Sequence, residues 1–421
     1  MLHSIIKIFQ MLFLPVEIKA REFKPKLSIA ALGCRFNLRS LIGREDLIDL
    51  VAKNSTNGVF FAKIAKIGLF KKLKANRHRI VWLDEEAGLL FGNPKLFLAN
   101  RLPPESVDLI DHFCFWSRSQ LSAFCEIYPE CANRATLTGH PRHDIRSVRS
   151  KDESRSSPVR LTYFSNSHLT ALQKTRLIKD LAFAARKAQR ETLIYVRPHP
   201  IEDATQWVEA LNAQETIKLL DAQRPSYEDL TNSDLVVHSG STTAIDSAFI
   251  GKVSLKYIPK YLETNYCNDL ADVADEVSLT IHSRDALASF LENEAWIDNK
   301  SKDLKKILEK LGFRTDAKST ETIVNIVVDN MARLQKSTDL DLRRTAIDII
   351  TNEPLEGLKT VLRNTQTFGK IGGWRKLHEQ CSEMTPIEIE SELSELGRRF
   401  SVKPAFAKVY PNLFLVSPPP T

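Results

Sequence analysis

Three polar clusters in this sequence carry residue types able to do chemistry. The first is Asp84-Glu85-Glu86-Ala87-Gly88, with three adjacent carboxylates. Like charges in close quarters raise at least one carboxyl pKa, which suits a general base near neutral pH. The acidic first turn of a helix would read the same way, because the helix dipole favours carboxylates there. The second is Arg197-Pro198-His199-Pro200. Its prolines fix φ and hold His199 in an extended loop. A guanidinium and an imidazole there could neutralise a departing phosphate; a rigid loop with a satisfied histidine is the plain structural alternative. The third is His238-Ser239-Gly240-Ser241-Thr242-Thr243. Backbone N–H groups and hydroxyls at a helix start make an anion site. Ser and Thr also serve as N-caps, but four hydroxyls with a glycine exceed what one cap uses.

Each cluster directly follows a short apolar run, at residues 80–83, 192–196 and 235–238. Such runs read as buried strands, and ligands of doubly wound sheets bind beyond the carboxyl ends of strands. The chain alternates in this way throughout. Strands are expected at 7–15, 36–42, 80–83, 113–116 and 135–137, with helices at 20–32, 46–53 and 117–126 between them. A polar, serine-rich stretch at 146–158 reads as a linker. A second series follows: strands at 160–164, 192–196, 217–220, 235–238 and 253–257, with helices at 170–189, 204–212, 226–232 and 243–250. Strands separated by helices of this length argue for parallel sheets built from βαβ units. Beyond residue 286 the text turns helical and charged, with a long amphipathic helix at 319–334 and a mostly helical stretch after it. The expected fold is α/β: an N-terminal Rossmann-like domain over 1–150, a C-terminal one over 151–330, and a helical extension over 331–421. The acidic cluster would then face the other two across a central cleft.

The bulk properties agree. A chain of 421 residues exceeds one ordinary core, and 43% hydrophobic with 26% charged residues is a globular composition. The net charge of +7 is mild and spread along the chain, so nucleic acid is not an expected partner. A small basic cluster at 71–79 suits a solvated helix end, or attraction to anionic headgroups or a polyanionic acceptor. The six cysteines are scattered with no CxxC pair, so no metal site is expected and a reducing compartment fits. The apolar N-terminus is broken by Lys7 and Gln10, and no uninterrupted apolar run reaches 18 residues. The expected location is cytoplasmic, with peripheral contact at the inner face of the membrane as an option.

These residues resemble a known set. Asp84 to Gly88 resembles the acidic motif of bacterial sialyltransferases, Arg197 to Pro200 their "HP" motif, and Ser239 to Thr243 their serine/threonine motif, in the same order. Related features occur in capsule-type transferases of 3-deoxy-manno-octulosonic acid (Kdo), also activated as a CMP ester. Leu14-Pro15-Val16-Glu17-Ile18-Lys19-Ala20-Arg21-Glu22-Phe23, with Asp84 to Gly88 and Thr138-Gly139-His140-Pro141-Arg142-His143-Asp144, resembles the bacterial "surface carbohydrate biosynthesis protein" family over roughly residues 10–330. The resemblance implies a GT-B fold and a glycosyltransferase of capsule or lipopolysaccharide synthesis. The donor would be a CMP-activated acidic sugar and the acceptor a glycan or lipid-linked glycan, with no further cofactor. It implies that His199, beside Ser241 and Thr242, holds the CMP phosphate. It further implies that Asp84, Glu85 or Glu86 activates the acceptor, and that Arg21 suits the donor carboxylate. His140 stands where the family has an amide, and Asp246 where a Glu is common.

Two other readings compete. A CDP-alcohol phosphotransferase would use the same His-Pro and serine-rich elements, with His140 or His238 as a second catalytic histidine. A non-catalytic nucleotide-sugar-binding scaffold would tolerate changes in the carboxylates and rely on residues 331–421.

Overall fold

A computed structural model describes residues 11–85, 94–144, 158–166, 169–188, 191–211, 217–265, 272–292, 303–334 and 383–419. Glu86, Ala87, Gly88 and nearly all of the expected linker lie outside the described residues.

The apolar runs form two sheets. The first holds β1 (Met11–Val16), β2 (Arg39–Arg44), β3 (Gly58–Ala62), β4 (Arg79–Leu83), β5 (His112–Phe115) and β6 (Ala135–Leu137). The second holds β7 (Val159–Phe164), β8 (Thr192–Arg197), β9 (Ile217–Leu219), β10 (Leu235–His238), β11 (Ser254–Tyr257) and β12 (Ser278–Ile281). All pairings among these twelve strands are parallel. The second sheet runs β12-β11-β10-β7-β8-β9, the order of a dinucleotide-binding fold, whose switch point falls between β7 and β10. In the first sheet β1 lies between β2 and β3, so its switch point is there. Strands buried on both faces explain the near-continuous apolar runs. The expected two-domain GT-B-like α/β architecture is therefore the observed one.

The C-terminal stretch differs from the expected helical extension. The helix Pro386–Phe400 is followed by β13 (Ala405–Tyr410) and β14 (Leu413–Ser417). β14 pairs antiparallel with β2, so the hairpin extends the first sheet. Lys and Glu abundance before it masked a short alternating pattern around the Pro411-Asn412 turn. Gly43 on β2 permits this pairing, since a Cβ there would lie 2.3 Å from the Asn412 carbonyl oxygen. β12 was also missed, being a short strand of mixed polarity. Residues 107–110 end a short helix, Pro104–Val107, and turn.

The helix Ser319–Ala332, expected with the second domain, also packs into the core of the first. Asp144 accepts bonds from Ser319 N (3.1 Å), Thr320 N (2.6 Å) and Thr320 Oγ1 (2.7 Å), capping this helix. Gly139, at φ +72°, lets the preceding chain approach, since a Cβ would sit 2.4 Å from Ser319 Oγ.

Phe414 of β14 is fully buried in the same core. Phe414→Ala is expected to lower the unfolding free energy by about 3–5 kcal/mol in urea melts; an unchanged value would show that the hairpin is not integral to the first domain.

Candidate functional site

In the second domain, the loops after β7, β8 and β10 lie side by side at the switch point. Asn166 Nδ2 donates to Ser239 O (3.1 Å), and Ser165 N to Arg197 O (2.9 Å). Within these loops several expected ligand groups instead hold the fold. Arg197 is buried; its guanidinium pairs with Asp229 and donates to the carbonyls of Asp221 (3.3 Å), Ala222 (3.0 Å) and Arg224 (2.5 Å). It braces the loop after β9. His238 is buried, with Nδ1 accepting from Gly240 N (3.1 Å) and Nε2 against Ser278 Oγ (3.0 Å). Burial, and then Lys256, push its pKa down to about 3, so it is neutral and structural. Ser239 is equally buried, bonded to Tyr257 O and Tyr163 OH at 2.9 Å each.

The outer part of the cluster is more open. Gly240 takes φ +80°, and Ser241, Thr242 and Thr243 are half-buried. Just before the helix Thr243–Phe249, Ser241 Oγ accepts from Thr243 N (3.2 Å) and donates to Thr243 Oγ1 (2.9 Å). His199 is half-buried between its prolines; Pro200 O accepts from Gln223 Nε2 (3.1 Å). Glu202 fixes the turn through His199 N (2.7 Å), so the ring is carried on a rigid loop.

In the first domain, Asp84 and Glu85 end β4 in the interior, each at most 2% exposed. Glu85 is ion-paired with Lys26 (Oε1 to Nζ, 3.4 Å) and faces His140 (Oε2 to Nε2, 3.0 Å). Lys26 also meets Glu22 (3.0 Å), and Lys63 bridges Glu22 (2.9 Å) and Glu17. The sequence expectation of a raised carboxyl pKa does not hold for Glu85. Desolvation pushes Glu85 up, but Lys26 and His140 outweigh it and hold the carboxyl down to about 2. Lys26 and His140 thus favour the ionised form of Glu85. His140 is fully buried, and desolvation lowers its pKa to about 4 despite Glu85. Its Nδ1 accepts from Arg142 N (3.2 Å), so the proton is on Nε2 and points at Glu85.

Between the domains lies a narrow, partly open pocket with a cavity volume of about 40 Å³. Helix α1 (Lys19–Gly33) contributes Arg21, Lys24 and Pro25, and the turn after β6 contributes Arg142 and His143. The second domain contributes Tyr227, Asp246 and Phe249, among others. Three cations and one carboxylate line it. Each of these segments follows the carboxyl end of a strand, the expected ligand position. Arg21 pairs behind the pocket with Glu22 (3.1 Å). Lys24 is held by Tyr227 OH (2.5 Å), Glu392 (2.9 Å) and Glu395 (3.3 Å). Arg142 stacks on Trp116 (4.6 Å), and His143 meets Asp246 across the cleft at 2.9 Å. Of the expected residues, Arg21 lines this pocket; His199 and Ser241 to Thr243 stand at the carboxyl edge of the second sheet, outside its lining. Arg142, His143 and Asp246 were not singled out as site residues, although the first two stand beside His140 in the quoted motif.

Solved structures share this fold. The wall teichoic acid polymerase TagF superposes with a TM-score of 0.54 at 13% identity, over 78% of this chain and 90% of that one. MnaA of S. aureus, in complex with UDP, gives 0.50 at 10% identity over 78% and 99%. A Listeria monocytogenes protein described as a UDP-N-acetylglucosamine 2-epimerase gives 0.51 at 12% identity over 79% and 99%. No protein-family model and no curated protein matches the chain. Among the described residues no helix is long and apolar enough to cross a membrane.

Two stability measurements test the buried groups. Glu85→Gln leaves Lys26 short of a partner and is expected to cost about 3–5 kcal/mol in urea melts; a loss under 1 kcal/mol would mean that the lattice does not depend on this charge. His238 stays neutral in the fold while the unfolded imidazole protonates near 6.5, so its contribution is full above that pH and is lost as pH falls toward about 3. His238→Asn should therefore flatten the stability-against-pH curve below about 6.5; an unchanged slope would show that the ring titrates normally.

Proposed function

We propose that this chain is a glycosyltransferase that moves an acidic sugar of the Kdo or sialic type from a CMP-activated donor to a cell-surface polysaccharide acceptor. The observation that carries the reading is the interdomain pocket, where Arg21, Lys24 and Arg142 converge at the carboxyl edges of two parallel sheets. An anionic donor is what such a pocket recognises, because a guanidinium meets a carboxylate or phosphate in a fixed fork geometry. The motif resemblance supplies the CMP-ulosonic class. The phosphate of CMP is assigned to His199, Gly240, Ser241 and Thr242, the members of the second-domain loops not buried in the fold. Arg197, Pro200, His238 and Ser239 position that loop set. Glu85 positions His140, and through it the Arg142 turn.

A second reading has a specific observation behind it. The TagF neighbour has been described with CDP-glycerol soaked into the crystal, so a CDP-alcohol donor fits the same fold. Titration calorimetry against CMP, CDP, UDP and GDP, followed by turnover with CMP-Kdo, CMP-sialic acid and CDP-glycerol, separates the two. CMP is expected to bind most tightly and a CMP-acid sugar to be consumed. Consumption of CDP-glycerol alone would replace the donor assignment, and binding without turnover of any donor would favour a scaffold role. His199→Ala is expected to lower turnover on the order of 10²–10³-fold, the usual cost of losing one transition-state donor, with the melting curve retained. Wild-type turnover would remove His199 from the site.

A further inference from the structure

The pocket contains a histidine–carboxylate pair built from both domains. His143 belongs to the 3-10 turn Pro141–Asp144 after β6, and Asp246 to the first turn of the helix Thr243–Phe249. The imidazole is fixed on several sides. Its ring stacks on Phe249 at 3.7 Å and 10°, and Trp116 meets it edge-on at 5.3 Å. His143 N donates to His140 O (3.0 Å), and the next residue, Asp144, caps the helix Ser319–Ala332. Nε2 lies 2.9 Å from Asp246 Oδ1.

An ionised carboxylate only accepts hydrogen bonds, so Nε2 carries the proton and Nδ1 keeps its lone pair. Among the described residues Nδ1 has no hydrogen-bond partner, and the side chain lines the pocket. Burial lowers the His143 pKa below its usual value even against the attraction of Asp246. The charged and titratable groups around it are Asp246, Arg142, Asp144 and His140, with Arg21 and Lys24 across the pocket. Desolvation pushes Asp246 up, but Arg142 and His143 outweigh it and keep the carboxylate ionised. A neutral imidazole that lines the pocket, with Nε2 anchored and Nδ1 unbonded among the described residues, is equipped to accept a proton. Glu85 is not, being bonded through both oxygens and held at about 2.

We propose that His143, oriented by Asp246, is the general base of the transfer, an assignment that rests on the transferase reading above. As the acceptor oxygen bonds to the anomeric carbon, its O–H bond breaks and the proton passes to His143 Nδ1. The bond from that carbon to the phosphate oxygen breaks, and its electron pair leaves with CMP. The imidazolium is stabilised by Asp246 until it returns the proton to solvent.

Two measurements on the full chain test this. Diethyl pyrocarbonate labelling with peptide mapping should modify His143 faster than the buried His140 and His238; a His143 as inert as those two overturns the open ring edge, and with it the proposal. His143→Gln should lower kcat roughly 10²–10⁴-fold while the Kd for CMP stays within about threefold and the melting curve is retained. The wild-type kcat should fall on the acid side, with a midpoint below that of an ordinary imidazole, and that limb should vanish in the variant. A kcat within about threefold of wild type overturns the proposal alone. A parallel loss of CMP affinity also overturns it, in favour of a pair that merely closes the domains. A wild-type chain that consumes no nucleotide donor overturns both readings.

Discussion

The structure depends on a charge lattice buried inside the first domain. Glu22 and Lys26 from α1, Lys63 after β3 and Glu85 after β4 exclude water from one another, with Glu17 at the rim. Taking such charges out of water costs several kcal/mol each unless opposite charges and hydrogen bonds are closely arranged. Here Glu22 is held well below the usual carboxylate range, because Lys26, Lys63 and Arg21 outweigh its desolvation. The lattice joins the ends of three neighbouring strands, β1, β3 and β4, at the switch point of the first sheet. A helix carrying Glu22, Lys24 and Lys26 in buried positions can exist only where those partners already stand.

The lattice also determines the geometry of the pocket. Glu85 fixes the tautomer of His140, His140 Nδ1 fixes the Arg142 amide, and Arg142 Nη2 returns to Glu85 O at 3.3 Å. Trp116 closes the loop by packing at a tilt against His140 (4.4 Å) and donating from Nε1 to Asp84 O (2.6 Å). The turn that carries Arg142 and His143 is therefore rigid although it lies at the domain boundary. Asp144 then hands the chain direction to the helix Ser319–Ala332, which packs back onto the first domain. Acidic groups placed after a strand act here as a frame for the cleft.

Most of the fold was legible because buried parallel strands leave unbroken apolar runs. The runs at 135–137 and 235–238 were placed to the residue, and the switch-point rule pointed to the loops after β8 and β10. Arg21, which the resemblance pointed to, lines the interdomain pocket. Local pattern carries no signal for pairings between distant residues. Lys24 and Lys26 look like solvent-facing charges in sequence, yet their partners Glu392 and Glu85 lie far along the chain. His143 and Asp246 are separated by 103 residues, and nothing near either one marks the other. The hairpin Ala405 to Ser417 was hidden for a similar reason. Its edge strand is half-buried, and its partner β2 belongs to the opposite end of the sequence.

The second domain shows why residue type alone overstates a ligand site. Arg, His and Ser suit phosphate because they donate hydrogen bonds, and the same property satisfies carbonyls and hydroxyls stranded at the ends of buried strands. Arg197 answers three such carbonyls, and Ser239 one. His238 answers Gly240 N instead, which lets the chain turn with a positive φ just before Ser241. The inner residues of the cluster are thus bound inward, and the next residues out, Ser241 to Thr243, are half-buried. The division is set by depth. A group at the last position of a central strand has protein on every side, whereas a group two or three positions later is half-buried.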